Sequence, residues 1–206
     1  SGARPVEWLF DHAAVDPRWC LVHATHMTDE ETRRLAESGA VAGLCPLTEA
    51  SLGDGIFNGR DYRAAGGRFG IGSDSNVLID AGQELAALEY SQRLAQRQRN
   101  VLTSGDSTGR SLFDSALAGG AQALGVPAAR IEAGAPADFV ALDRRHPSLA
   151  ARAEDALIDA WLFAAQRLAI DAVWRRGRRV VEGGRHIARD AIVDRYRRAI
   201  AALIDE

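Results

Sequence analysis

Three short apolar runs, set between segments with helical patterning, constrain the fold of this 206-residue chain most strongly. The runs occupy residues 19–22, 40–45 and 68–72. Helices are predicted between and beyond them, over residues 28–37, 61–65, 83–96 and 111–124. Strands and helices that alternate at this spacing predict parallel βα units, in which continuous apolar strands are covered on both faces. We therefore expect an α/β fold.

Two local patterns refine this first part of the chain. Residues 28–31 (TDEE) have the S/T-x-x-E spacing of a capping box, which predicts a helix start there, and Gly39 is a typical stop signal. Residues 47–60 (LTEASLGDGIFNGR) are polar and rich in glycine, and Pro46 closes the second apolar run. We expect residues 52–59 to form a loop near the site that can approach a ligand closely, and Thr48 and Glu49 to lie in a loop after the second run.

The pattern changes after Pro127. A strand, a helix, two hairpin strands and a closing amphipathic helix are predicted there, over residues 137–143, 154–166, 172–175, 179–181 and 190–204. Gly177 is expected to form the hairpin turn. We expect two segments, residues 1–126 and residues 127–206.

Composition excludes several classes of function. The formal net charge of −3 gives no basic surface for nucleic acid or an anionic membrane. No apolar run reaches the roughly 18 residues that span a bilayer. The two cysteines, Cys20 and Cys45, fit a reducing compartment and are expected in the core. We expect a cytoplasmic protein that acts on a small molecule, with no nucleic acid or membrane partner.

Polar side chains follow each predicted strand, where catalytic groups of parallel α/β folds converge. They are His23 after the first run, Thr48 and Glu49 after the second, and Asp74 after the third. An imidazole and a carboxylate from separate strand ends can share one metal ion or one water molecule. Structural interpretations remain open: His23 as a hydrogen-bonded strand end, and Asp74 as a helix cap or Asx turn.

Several stretches of the chain together resemble the amidohydrolase superfamily. They are residues 20–29 (CLVHATHMTD), 43–58 (GLCPLTEASLGDGIFN), 70–75 (GIGSDS), 88–94, 134–140 and 173–181. Within the superfamily they resemble the deiminases of histidine degradation that convert N-formimino-L-glutamate to N-formyl-L-glutamate and ammonia. The resemblance implies the C-terminal part of a metal-dependent (β/α)8 barrel, with the three runs as strands six to eight. A small β-sandwich and a C-terminal helix would follow.

The resemblance also implies roles for two residues. His23 takes the place of the sixth-strand histidine, which lies near the hydrolytic water and the substrate. Asp74 takes the place of the eighth-strand aspartate, which binds zinc and accepts the proton of the water. Zinc is the expected metal, with iron as the alternative because both accept these ligands. His26, three residues beyond His23, is a further group that could contribute.

The chain departs from the superfamily pattern in its missing ligands. The His-x-His pair, the fifth-strand histidine and the proton-shuttling glutamate are absent from the sequence. A catalytic zinc site normally has three or more protein ligands. We therefore expect the chain to be inactive alone, to require the N-terminal part of the same enzyme as its partner, and to form a homodimer as the full enzyme.

Two alternatives remain open at this stage. One is another aminohydrolase of the superfamily, such as a guanine or adenosine-type deaminase, although residues 46–55 (PLTEASLGDG) resemble the formimino-glutamate enzymes. The other is a non-catalytic structural fragment in which His23 and Asp74 are remnants.

Overall fold

The computed structural model describes residues 2–74, 78–128 and 130–204. The helices are α1 (Pro5–His12), α2 (Asp29–Ser38), α3 (Pro46–Leu52), α4 (Gly59–Ala64), α5 (Ala81–Gln96), α6 (Thr108–Ala123), α7 (Glu154–Ala160) and α8 (Arg189–Ile204). The strands are β1 (Cys20–Val22), β2 (Val41–Leu44), β3 (Arg68–Ile71), β4 (Phe139–Leu142), β5 (Ile170–Arg175), β6 (Arg178–Glu182) and β7 (Arg185–His186). Ser75, the last residue of the 70–75 motif, lies outside the described residues. No helix in the described part of the chain is long and apolar enough to cross a membrane.

The first sheet is parallel, with strand order β1-β2-β3. Its central strand is almost inaccessible to solvent, with Val41 and Ala42 at 0% exposure and Leu44 at 1%. A parallel strand buried on both faces reads as a continuous apolar run, which is why the pattern was visible in the sequence. The α/β expectation is therefore confirmed.

The second sheet is antiparallel, with strand order β4-β5-β6-β7. Arg176 and Gly177 both have positive φ values (50° and 75°) between β5 and β6, the backbone that a tight two-residue hairpin turn requires. Within the described residues these four strands form one sheet, so the expected small β-sandwich is not confirmed. The three parallel strands form an open sheet, as expected of three strands of a larger barrel, and the barrel itself stays a prediction. The boundary after residue 126 stays a prediction.

Helix α2 begins as its capping box predicts. The hydroxyl of Thr28 accepts a hydrogen bond from the backbone N–H of Glu31 (3.2 Å), and the carboxylate of Glu31 accepts one from the N–H of Thr28 (2.8 Å). Gly39 ends the helix with φ 73°, in the left-handed region that favours glycine. The chain then enters β2.

Helix α6 covers the parallel sheet at backbone contact distance. A Cβ atom built on Gly119 would lie 2.0 Å from the carbonyl oxygen of Phe69, and one on Gly70 would lie 3.0 Å from the Cα atom of Gly120. Only glycines permit such an approach of helix to strand. The sequence of the helix therefore fixes how closely it covers β3.

Residues 47–60 are not a continuous loop, because Pro46 begins helix α3. Proline suits the first position of a helix, where the backbone N–H has no intrahelical partner and φ is already helical. The prediction that Pro46 closes the second apolar run holds, and residues 53–58 form a loop as expected, but the placement of Thr48 and Glu49 in a loop was wrong. The correction matters because α3 carries Thr48 and Glu49 next to the end of β2.

The segment between β4 and β5 also differs from its prediction. The expected helix over residues 154–166 is α7 followed by a π-helical turn (Trp161–Ala165) and a 3-10 helix (Gln166–Ala169). Leu162 and Leu149, both 0% exposed, belong to the same apolar core as β2. This segment thus ties the antiparallel sheet to the parallel part.

Candidate active site

The two residues singled out at strand ends have an uncommon backbone conformation. His23 follows β1 directly and Asp74 lies just past β3, with φ values of 64° and 46°. For residues other than glycine this left-handed region costs about 1 kcal/mol or more and is found mostly where the surrounding structure enforces it. The backbone N–H of His23 still donates to the carbonyl of Gly43 (2.8 Å), so the ladder holds the residue in place.

The structure brings the side chains of His23 and Asp74 together. Nε2 of His23 and Oδ2 of Asp74 are 3.8 Å apart, and the two side chains are 35% and 38% exposed. This separation is too long for a direct hydrogen bond. The pair therefore presents one imidazole nitrogen and one carboxylate oxygen to the same solvent-accessible point.

A third side chain, Glu49 from α3, contacts the ring of His23. Glu49 is only 4% exposed, and its Oε1 lies 3.2 Å from Nδ1 of His23. The same oxygen accepts a hydrogen bond from the backbone N–H of Cys45 (2.8 Å). The sequence marked Glu49 as a polar residue after β2 but gave no sign of this contact, because the contact depends on α3.

Two contacts fix α3 itself. The carboxylate of Glu84, which is 1% exposed, accepts a hydrogen bond from the backbone N–H of Leu47 (2.9 Å). The hydroxyl of Thr48 donates to the carbonyl of Ser73 across 3.5 Å, next to Asp74. Thr48 therefore contacts the backbone beside the site and not the reacting groups.

The other candidate side chains have different surroundings. His26 is exposed, and its carbonyl accepts a hydrogen bond from the guanidinium of Arg4. Cys45 is buried, and burial together with the nearby carboxylates raises the pKa of its thiol to about 11. Its thiol is therefore neutral at physiological pH, as expected of a core cysteine. Cys20 is exposed on β1, so the prediction that it lies in the core was wrong.

An open cleft of about 440 Å³ adjoins the site on the side of β1. The residues that line it include Arg4, Leu21, His23, His26 and Asp54, and Asp74 is not among them. The cleft therefore reaches the imidazole from one side, and the carboxylate of Asp74 lies beyond it.

The donor chemistry suits a metal ion, but the donor number is small. Imidazole nitrogen and carboxylate oxygen are both common zinc ligands. Within the described ranges, no group of three or more His, Cys, Asp or Glu side chains is placed to hold a metal ion. Asp74 therefore fits as one ligand of a metal site, with Nε2 of His23 beside it, and the described residues do not supply a full set of ligands.

Comparison with known proteins gives the class of this molecule. The chain belongs to the amidohydrolase family, whose sequence profile matches residues 3–180. The resemblance drawn from the motifs is thereby confirmed.

Three similar proteins define the likeness further. Formimidoylglutamate deiminase of Pseudomonas aeruginosa is 49% identical over the whole chain, which corresponds to 46% of that protein. The crystal structure of an amidohydrolase from Brucella melitensis is 54% identical with a TM-score of 0.93, over 99% of this chain and 45% of that one. The crystal structure of an adenosine deaminase from Xanthomonas campestris with bound zinc is 24% identical with a TM-score of 0.87, over 100% and 47% of the two chains, and shows the shared fold. The chain spans about half the length of these relatives.

Proposed function

We propose that this chain is part of a metal-dependent deiminase that hydrolyses N-formimino-L-glutamate to N-formyl-L-glutamate and ammonia. The observation that carries the proposal is the convergence of His23 Nε2 and Asp74 Oδ2 on one accessible point, 3.8 Å apart. The identity of 49% to a relative of that name along the whole chain supports the choice of substrate.

Asp74 and His23 have different roles toward the attacking water. When bound, a divalent metal ion makes that water acidic enough to lose a proton near neutral pH. Asp74 is the residue that would hold the metal, and its carboxylate would accept the proton of the water. His23 accepts a hydrogen bond from the same water through Nε2 and so orients it.

The overall reaction balances around one C–N bond. Water adds to the formimino carbon, the bond from that carbon to the terminal nitrogen breaks, and the nitrogen leaves as ammonia after taking up a proton. The formyl group that remains holds the oxygen of the water. The group that delivers the proton to the leaving nitrogen is proposed to lie in the rest of the enzyme.

The small number of ligands supports a site shared with the remainder of a longer protein. We propose that the other metal ligands, and the groups that bind the substrate carboxylates, come from a segment of the same enzyme outside this chain. Zinc is the proposed metal, since imidazole and carboxylate are among its usual ligands and the Xanthomonas campestris structure contains it. Iron is the alternative.

The test compares ammonia release by the full-length protein from three substrates, N-formimino-L-glutamate, guanine and adenosine, after loading with zinc or iron. We expect turnover of N-formimino-L-glutamate alone. Turnover of a purine without turnover of N-formimino-L-glutamate would replace this proposal with the purine deaminase alternative.

A second arm uses the 206-residue chain by itself. We expect no stoichiometric zinc and no ammonia release, and recovery of both on mixing with the remaining part of the enzyme. Full activity of the isolated chain would contradict the shared site.

A further inference from the structure

We propose that Glu49 is a positioning residue that fixes the tautomer and the orientation of His23. The catalytic benefit rests on the proposed function, whereas the tautomer itself can be observed without any reaction. The inference goes beyond the two residues that the family resemblance assigns, because it concerns the third side chain of the cluster.

The burial of Glu49 is the first step of the argument. A carboxylate at 4% exposure is costly unless hydrogen bonds compensate for the lost water. Oε1 of Glu49 has two such partners, the backbone N–H of Cys45 at 2.8 Å and Nδ1 of His23 at 3.2 Å. An ionised carboxylate only accepts hydrogen bonds, so the nitrogen that faces it must carry the proton.

The position of that proton decides what the other nitrogen can do. With hydrogen on Nδ1, the neutral ring has a lone pair on Nε2. Nε2 is the atom that faces Asp74 across 3.8 Å. The arrangement resembles catalytic triads in its logic, since a buried carboxylate holds an imidazole in the one tautomer that can accept a proton or a hydrogen bond from the reacting group.

A purely structural role would not require the contact to His23. The start of α3 is already held by Glu84, whose carboxylate accepts from the N–H of Leu47 at 2.9 Å. Glu49 serves the same helix through the N–H of Cys45. Glu84 is therefore a matched control: it is a buried carboxylate that supports α3, and its bond to Leu47 does not involve the ring of His23.

The decisive measurement is the tautomer of His23 in the ¹⁵N-labelled chain. Long-range ¹H–¹⁵N correlations of the histidine rings distinguish a protonated ring nitrogen from a bare one, and the His23→Gln spectrum assigns the signals. The spectra are recorded at increasing pH until the ring signals of His23 stop changing, so that the neutral ring is the species observed. We expect a protonated Nδ1 and a bare Nε2. A protonated Nε2 in the unaltered chain would overturn the proposal without any further variant.

Three variants distinguish a positioning role of Glu49 toward His23 from an effect on folding. Glu49→Gln keeps an oxygen in place and should retain the Nδ1–H tautomer, Glu49→Ala should give a mixture of tautomers, and Glu84→Gln should leave the tautomer unchanged. A single Nδ1–H tautomer in a folded Glu49→Ala chain would contradict the proposal. Backbone amide spectra report whether each variant is folded.

The catalytic arm uses the full-length protein. Glu49→Ala is expected to lower kcat by about 10- to 100-fold, the range for partners that orient a reactive histidine, with little change in KM or zinc content. An unchanged kcat would overturn the catalytic part of the proposal. If the full-length protein has no deiminase activity at all, the proposed function fails, and the tautomer spectra still decide the positioning role.

Discussion

His23 and Asp74 meet across an intervening strand. They follow β1 and β3, which lie on opposite sides of β2, yet Nε2 and Oδ2 are only 3.8 Å apart. Strands two places apart are separated by roughly 9–10 Å. The left-handed backbone at both residues helps the two side chains to meet over the end of β2. The accessible point between them is therefore built by strand geometry and not by neighbouring residues in the sequence.

Removal of either side chain of this pair should abolish most of the activity of the full-length enzyme. Asp74→Asn and His23→Gln are each expected to lower kcat by about 10²- to 10⁴-fold, the range for a lost general acid or base. Asp74→Asn should also lower the zinc content, whereas His23→Gln should not. Steady-state kinetics with metal analysis checks both, and His12→Gln and Asp61→Asn are the exposed controls. Equal metal loss in the two variants would show that His23 is itself a ligand.

Glu31 should make the stability of the chain sensitive to acid. Burial by itself would raise the pKa of Glu31, but its hydrogen bonds with Thr28, Arg4 and Glu7 outweigh this and hold the pKa below its usual value. A depressed folded-state pKa stabilises the fold above the unfolded-state pKa, and this contribution is lost as the pH falls through the folded-state pKa.

The measurement is urea unfolding of the chain and of Glu31→Gln. At pH 7 the variant is expected to be less stable by about 1–2 kcal/mol, since a buried acceptor of charge-assisted bonds is lost. The difference should shrink as the pH falls below about 4.3, the usual pKa of a glutamate. Glu37→Gln, at an exposed ion pair with Arg33, should show almost no difference at any pH. A Glu31→Gln difference that stays constant down to pH 3 would contradict this assignment.

Two adjacent glycines of α6 should respond in opposite ways to alanine. Gly119→Ala places a Cβ atom 2.0 Å from the carbonyl oxygen of Phe69, so helix or strand must move, at a cost of about 2 kcal/mol or more. Gly120→Ala meets no atom within 4 Å and should gain about 0.5–1 kcal/mol from better helix propensity. Thermal or urea unfolding of the two variants shows whether each change lowers or raises the free energy of unfolding. Equal effects would mean that α6 does not pack on β3 as described.

Glu89 should contribute strongly to stability by holding the loop after α5. It is 0% exposed, and its carboxylate accepts hydrogen bonds from the N–H groups of Val101 and Leu102 and from Arg93, at 2.9, 3.0 and 2.7 Å. Glu89→Gln replaces one acceptor with a donor and should cost about 2–4 kcal/mol. The control Glu30→Gln alters an exposed pair and should cost less than about 0.5 kcal/mol. A lower urea midpoint with an unchanged m value is the expected result.

The features that followed from the sequence are those that depend on neighbouring residues. The start of α2 could be predicted because both partners of its capping box, Thr28 and Glu31, lie within one helical turn. The parallel strands could be predicted because a strand buried on both faces is apolar throughout. The turn at Gly177 was visible because its backbone favours glycine.

The features that could not be predicted from the sequence depend on contacts between residues far apart in the chain. Helix α3 was read as a loop, because its support by Glu84 comes from another helix and cannot be seen in residues 46–52. For the same reason Glu49 was noted only as a polar residue, although it is the side chain that contacts the ring of His23. The positions of His23 and Asp74 after apolar runs did single them out. Their separation depends on the left-handed backbone of both residues, which no local sequence pattern predicted.

The backbone contact between α6 and β3 has a consequence for the alignment of reacting groups. Where side chains separate a helix from a strand, rotamer changes can absorb small movements. Between Gly119 and Phe69 there are no such side chains, so a tilt of α6 is transmitted directly to the strand that leads to Asp74. If Asp74 has the proposed role, we expect the inward face of α6 to affect the alignment of its carboxylate as well as the stability of the fold.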